Sequence, residues 1–139
     1  IYGDPAIGGE DPGCGFEAYL ADPARRSTWV AEEDGRVVGL AGLLVRGGEA
    51  EVEPVVVTAA RRCRGIGTAL LRRAIDEARR AGYRHLGIRP VARNVEAIAL
   101  FVRCGFDVVG HVDLFQDLVP TAAPPWKPGL TLHGHRLRY

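Results

Sequence analysis

Residues 51–82, EVEPVVVTAARRCRGIGTALLRRAIDEARRAG, change period part-way along, and that switch constrains the fold more than any other feature. The first seven residues are rich in valine and read as a strand. From Ile66 onward apolar residues recur every four positions, at Ile66, Leu70, Ala74 and Ala78. Leu71 and Ile75 widen the stripe, while Arg72, Arg73, Arg79 and Arg80 fall mostly off it, as on an amphipathic helix. Gly82 stands where a C′ glycine ends a helix. Between strand and helix lies the turn TAARRCRG.

A strand, a glycine-containing turn and a helix N-terminus form an anion site for a physical reason. The first N–H groups of a helix have no partner within it. The helix dipole places partial positive charge at the same end. A glycine lets a ligand approach the backbone with no Cβ in the way. Seven arginines against Asp76 and Glu77 between Arg61 and Arg80 add a local basic field, although the formal charge of the chain is only +1. The Walker pattern is absent, and the third glycine of a Rossmann turn is missing, since Leu70 follows Gly65 and Gly67. The Gly-Ile-Gly pair alone therefore leaves two readings open, a phosphate cradle or a charged helix start.

The flanking segments set the class. Residues 1–15 hold five glycines and two prolines and read as loop. FEAYLADPARR reads as a short helix interrupted by Pro23. STWVAEE, a DG turn, RVVGLAGLLV, an RGGEA turn and EVEPVVV predict three antiparallel strands. RHLGIRP predicts a short buried strand ended by Pro90. Asn94 is an N-cap for the helix VEAIALFVRC, which Gly105 ends. FDVVGHVDLF predicts another strand, PTAAPPWKPG a connection, and LTLHGHRLRY a final strand. The order is helix, three strands, helix, strand, helix, strand, strand: one mixed α/β domain over residues 1–139.

Composition narrows the chemistry. Cys14, Cys63 and Cys104 are odd in number and share no CxxC spacing, so neither a disulfide framework nor a zinc knuckle is predicted. Free thiols in a reducing cytoplasm are expected, and no metal site, because His85, His111, His133 and His135 lack ligand spacing. No apolar run approaches 18 residues, so no membrane span is expected. No methionine occurs, even at position 1, and the chain is expected to begin inside a longer or processed sequence. The arginine helix lacks interleaved aromatics, which argues against a nucleic-acid partner.

Arg62 to Gly67 reads as Gln/Arg-x-x-Gly-x-Gly/Ala after a β-branched strand and before an apolar helix. This resembles the acetyl-CoA-binding motif of the GNAT superfamily of N-acetyltransferases. NVEAIALFVRCGF resembles a second signature of that superfamily, with Asn94, Ala97, Leu100, Phe101, Gly105 and Phe106 in register. GRVVGLAGL is similar to its second and third strands, and the resemblance spans roughly residues 28 to 115.

The resemblance implies a mostly antiparallel sheet flanked by helices, whose fourth and fifth strands splay apart. The superfamily's first strand is expected to be missing here. It implies that acetyl-CoA pairs with the strand edge at Val55, Val56 and Val57. Backbone N–H groups of Arg62, Cys63, Arg64, Gly65, Ile66, Gly67 and Thr68 would hold the pyrophosphate. Asn94 would face the pantetheine arm beside Ala97, and Phe101 would pack near the thioester. The implied reaction is direct attack of a primary amine, from a small molecule or a peptide, on the thioester.

The amine must be neutral to attack, so a base must take its proton. Glu51 and Glu53 are the candidates. Strand alternation puts both on one face with Val55 and Val57 unless a bulge intervenes. Phe101 departs from the superfamily's usual tyrosine acid and cannot donate a proton. This keeps an acyl-CoA-binding sensor without efficient turnover as the alternative. Tyr83 and Tyr139 are substitute acids by residue type, and Trp29, His111, Asp113 and Gln116 are candidate pocket residues. A homodimer through LTLHGHRLRY is a further expectation.

Overall fold

A computed structural model describes residues 14–116, 118 and 127–138. The elements in chain order are α1 (Cys14–Ala21), β1 (Arg25–Glu33), β2 (Arg36–Arg46), β3 (Glu49–Val57), a 3-10 turn (Ala59–Arg61), α2 (Ile66–Arg80), β4 (Leu86–Gly87), α3 (Val95–Arg103), β5 (Pro128–Leu132) and β6 (His135–Arg138). The main sheet has the order β1-β2-β3-β4. Its first two pairings are antiparallel and the β3–β4 pairing is parallel, which is the mixed, mostly antiparallel sheet the sequence predicts.

Local chemistry explains the boundaries. Asp34 and Gly35 turn the β1–β2 hairpin with φ of 52° and 71°, the two positive values a tight hairpin turn requires. The side chain of Asn94 caps α3 by accepting the Ala97 N–H at 3.2 Å. Past the end of α2, Gly82 takes φ 79°, and the Tyr83 N–H reaches back to the Ala78 carbonyl at 3.1 Å.

Leu70, Leu71, Ala74 and Ala78 form the buried stripe of α2. Leu71 and Ala74 pack with Val52 and Phe101 at the centre of the core. Replacing Leu71, which is fully buried, with alanine is expected to cost about 2–5 kcal/mol. A denaturant titration that places the variant within about 1 kcal/mol of the native chain contradicts this core assignment.

Several expectations require correction. The first helix ends at Ala21 instead of running through Arg26, and it already includes Cys14 and Gly15. The Asp22 carboxylate accepts the Ala24 N–H at 2.8 Å, and the Arg25 N–H donates to the Asp22 carbonyl at 3.0 Å. This turn competes with the helix ahead of Pro23 and delivers the chain into β1 two residues earlier than expected. The expectation for residues 1–13 lies outside the described residues.

RHLGIRP forms a ladder only at Leu86 and Gly87, opposite Ala50 and Glu51. FDVVGHVDLF forms no strand. A two-residue β4 offers too short an edge to template a ladder, and Val108 stays 88% exposed. LTLHGHRLRY is not one strand either. His133 and Gly134 take φ of 48° and 82°, and the segment folds into the β5–β6 hairpin, a separate two-stranded sheet.

Among the described residues no helix is long and apolar enough to cross a membrane, and no cluster of His, Cys, Asp or Glu has metal-site geometry.

Candidate active site

The β2–β3 register holds one irregularity, and it decides the geometry of the site. Ala41 pairs with Val55 and Leu43 with Val52, so Glu53 and Pro54 together oppose Gly42. This is a bulge. A Cβ on Gly42 would lie 2.5 Å from the Glu53 carbonyl oxygen and 2.1 Å from the Tyr19 hydroxyl, so only glycine fits opposite it.

The bulge shifts side-chain parity along β3. Val52 and Val55 both pack on the core beneath α2 and α3. Val57 follows on that side, since its Cγ2 lies 3.8 Å from where a Cβ on Gly67 of α2 would stand. Glu53, Pro54 and Val56 line a cavity on the opposite, α1 side. Glu51 and Glu53 therefore do not share a face with Val55 and Val57, as an unbroken strand would require.

Pairing between β3 and β4 ends at Glu51–Gly87. Beyond it, among the described residues, the β3 edge from Val55 to Val57 has no strand neighbour on the β4 side. The ladder thus ends well before the C-terminal end of β3, where the chain enters the glycine turn.

The turn is tied down at both ends. The Thr58 N–H donates to the Val38 carbonyl at 2.9 Å, and Arg62 Nε donates to the Val57 carbonyl at 3.1 Å. Arg61 pairs with Glu33 on β1. Cys63 at φ 59° and Gly65 at φ 84° then reverse the chain into α2. The first hydrogen bond of α2 runs from the Ala69 N–H to the Gly65 carbonyl at 2.9 Å. The N–H groups of Ile66, Gly67 and Thr68 accordingly have no carbonyl ahead of them in the helix. A Cβ on Gly65 would meet none of the described residues within 4 Å, so the space they leave above the turn is open.

A Cβ on Gly67 would approach Leu100 Cδ2 at 3.1 Å, so its absence brings α3 close to α2. Ala97 packs against the core cluster, and Asn94 is exposed at the start of α3. Its Oδ1 serves the cap, which leaves the amide NH2 to other partners. Phe101 is 8% exposed and meets Phe106 edge-on at 6.3 Å.

The two carboxylates differ in their surroundings. Glu51 Oε2 accepts Arg89 Nη1 at 2.7 Å, and its side chain is 14% exposed. Glu53 is 58% exposed and has Arg46 Nη1 at 3.7 Å. Arg46 spends its other nitrogen on Asp22 Oδ2 at 2.6 Å. The Ala24 N–H, together with the hydrogen bond and charge of Arg46, holds the Asp22 carboxyl below its ordinary range against a weaker opposing effect of burial.

Tyr19, Asp22 and Arg46 escaped the sequence reading. Their only signal was an aromatic residue in a short helix and two opposite charges 24 residues apart, Asp22 in a loop and Arg46 at the end of β2. Trp29, expected at a pocket, packs on the core instead. His111, Asp113 and Gln116 are exposed in the irregular segment and do not line the cavity. Tyr83 lies beyond the far end of α2 with the Arg26 guanidinium 5.8 Å from its ring centre, and Tyr139 is outside the described residues.

A family model described as the acetyltransferase (GNAT) family matches residues 4–106. The chain belongs to this family. It is a GNAT domain, of the class that uses acetyl-CoA as acyl donor. Over 91 residues it is 38% identical to a mycothiol acetyltransferase of Clavibacter sepedonicus, a match covering 65% of this chain and 29% of that protein. The chain thus spans under a third of the length of this curated relative.

A solved structure of a protein assigned as an acetyltransferase in Agrobacterium tumefaciens str. C58 superposes with TM-score 0.61 at 30% identity, covering 81% of this GNAT chain and 83% of the other. The ribosomal-protein-S18-alanine N-acetyltransferase of Escherichia coli superposes with TM-score 0.60 at 26% identity, covering 69% and 61%.

Proposed function

We propose that this GNAT domain transfers the acetyl group of acetyl-CoA to a primary amine by direct attack in a ternary complex. One observation carries the reading. The β3 edge from Val55 to Val57 loses its neighbour just where the chain enters a glycine turn with free helix N–H groups and open space above it. The residues fit the cofactor on that ground: the backbone from Arg62 to Thr68 would hold the pyrophosphate. The β3 edge would pair with the pantetheine amides, and the Asn94 amide would reach the same arm.

Acetyl-CoA, when bound, supplies the activated acetyl group. Glu53 opens onto the α1-side cavity and takes the proton that the attacking nitrogen must lose, directly or through one water. Glu51 is the weaker candidate because Arg89 already occupies it. Backbone N–H groups of the β3 edge donate to the oxygen on which negative charge develops. Phe101 offers no proton to the departing thiolate, which leaves unassisted by that position.

Calorimetry of the folded chain with acetyl-CoA is the test, and binding in the micromolar range is expected. A folded sample with no heat of binding refutes the assignment. The buried Phe101 also supports a second reading, an acyl-CoA sensor without efficient turnover. Thiol release above hydrolysis with any amine excludes a pure sensor.

The reading extends to residues 1–139 as one domain, and to a cytoplasmic location consistent with the free thiols of Cys63 and Cys104. It includes a homodimer through the C-terminal hairpin, where Leu130 is 42% exposed. Sedimentation showing only monomer at high concentration removes the dimer.

A further inference from the structure

We propose that the cavity on the α1 side takes a primary monoamine with an apolar body, aliphatic or aromatic, and no carboxylate. This rests on the transferase reading and names its acceptor. The cavity holds about 650 Å³, the size of a small-molecule site. Leu40, Leu44, Pro54 and Val56 form one wall. The rings of Phe16 and Tyr19, stacked at 5.9 Å between centres, contribute to another. The Tyr19 hydroxyl shares a 2.6 Å hydrogen bond with Thr28, so the polar tip of this ring is already engaged.

Among the described residues, all the charge in the lining comes from three side chains. Asp22 and Glu53 are carboxylates and Arg46 is a guanidinium, which leaves one negative charge uncompensated. Arg46 holds Asp22 at 2.6 Å and only approaches Glu53 at 3.7 Å. Asp22 is further occupied by the Ala24 N–H. Glu53 is therefore the carboxylate left to receive an ammonium group.

An acceptor carboxylate would face two like charges and find the Arg46 guanidinium already taken. Hydroxyl groups along the body of the acceptor would lose water against a wall with no partner for them. An alkyl chain or an aromatic ring meets neither penalty, and the rings add an attractive face for the cation.

Matched pairs of amines test this with the native chain. Phenethylamine and phenylalanine differ by one carboxylate; hexylamine and glucosamine share a carbon count and differ in hydroxylation. Thiol release should give kcat/KM at least about tenfold higher for phenethylamine than for phenylalanine. Hexylamine should exceed glucosamine by a similar factor, about tenfold. Phe16→Ser should raise KM for phenethylamine while calorimetric acetyl-CoA affinity stays the same.

Phenylalanine used as well as phenethylamine, or glucosamine preferred to hexylamine, overturns the acceptor class and leaves acetyl transfer standing. An unchanged KM in Phe16→Ser overturns the cavity as the acceptor site. Bound acetyl-CoA with no amine turned over refutes transfer itself, and the acceptor class with it.

Discussion

Gly65→Val is expected to weaken acetyl-CoA binding by about 100-fold or more while the chain still folds. Gly65 sits at φ 84° as the residue preceding α2. An L-residue in that region costs about 1–2 kcal/mol, a loss that the fold should survive. The larger effect is on the ligand. A Cβ there meets none of the described residues beyond its chain neighbours within 4 Å, so the new side chain would project into the space a pyrophosphate needs. Losing two hydrogen bonds to a charged group, at about 1.5–3 kcal/mol each, accounts for the expected factor.

Calorimetry gives the affinity, and a thermal melt shows that the variant is folded. Gly67→Ala serves as the contrast, because its Cβ would press on Leu100 Cδ2 at 3.1 Å and act on helix packing. If Gly65→Val binds as tightly as the native chain, the turn is not the pyrophosphate site.

Glu53→Gln is expected to lower kcat with a good amine acceptor by about 10²–10⁴-fold and to leave acetyl-CoA affinity unchanged. The amide keeps the shape and removes the basic oxygen. Glu51→Gln should behave differently, since that carboxylate is engaged by Arg89 at 2.7 Å. Its effect should appear as a stability change of up to about 1 kcal/mol, because Arg89 is exposed and solvent screens the pair. A larger loss of kcat in Glu51→Gln than in Glu53→Gln would reverse the assignment.

The glycine turn, α2 and α3 were legible in the sequence because each is set by nearby residues. The stripe from Ile66 to Ala78 is a periodicity, the Asn94 cap reaches three residues, and Gly82 ends α2 within one turn. The C-terminal region was not legible for the opposite reason. Alternating apolar residues in FDVVGHVDLF permit a strand, but a strand exists only if another edge receives it. LTLHGHRLRY likewise concealed a hairpin, because a positive φ is uncommon outside glycine and one histidine before Gly134 is a weak turn signal within alternating residues.

The sequence by itself determined the family, the donor turn and the two carboxylates worth testing. Those follow from residue type at short spacing, and such spacing survives without knowledge of the fold. Only the tertiary structure decided how the carboxylates are deployed. One extra residue opposite Gly42 shifts the parity of β3, and strand alternation read from sequence carries no mark of it. Arg89 then reaches Glu51 across 38 residues, and Arg46 reaches Asp22 across 24. Contacts of that range depend on where the sheet brings distant segments together, so the acceptor cavity and its remaining charge came into view only with the fold.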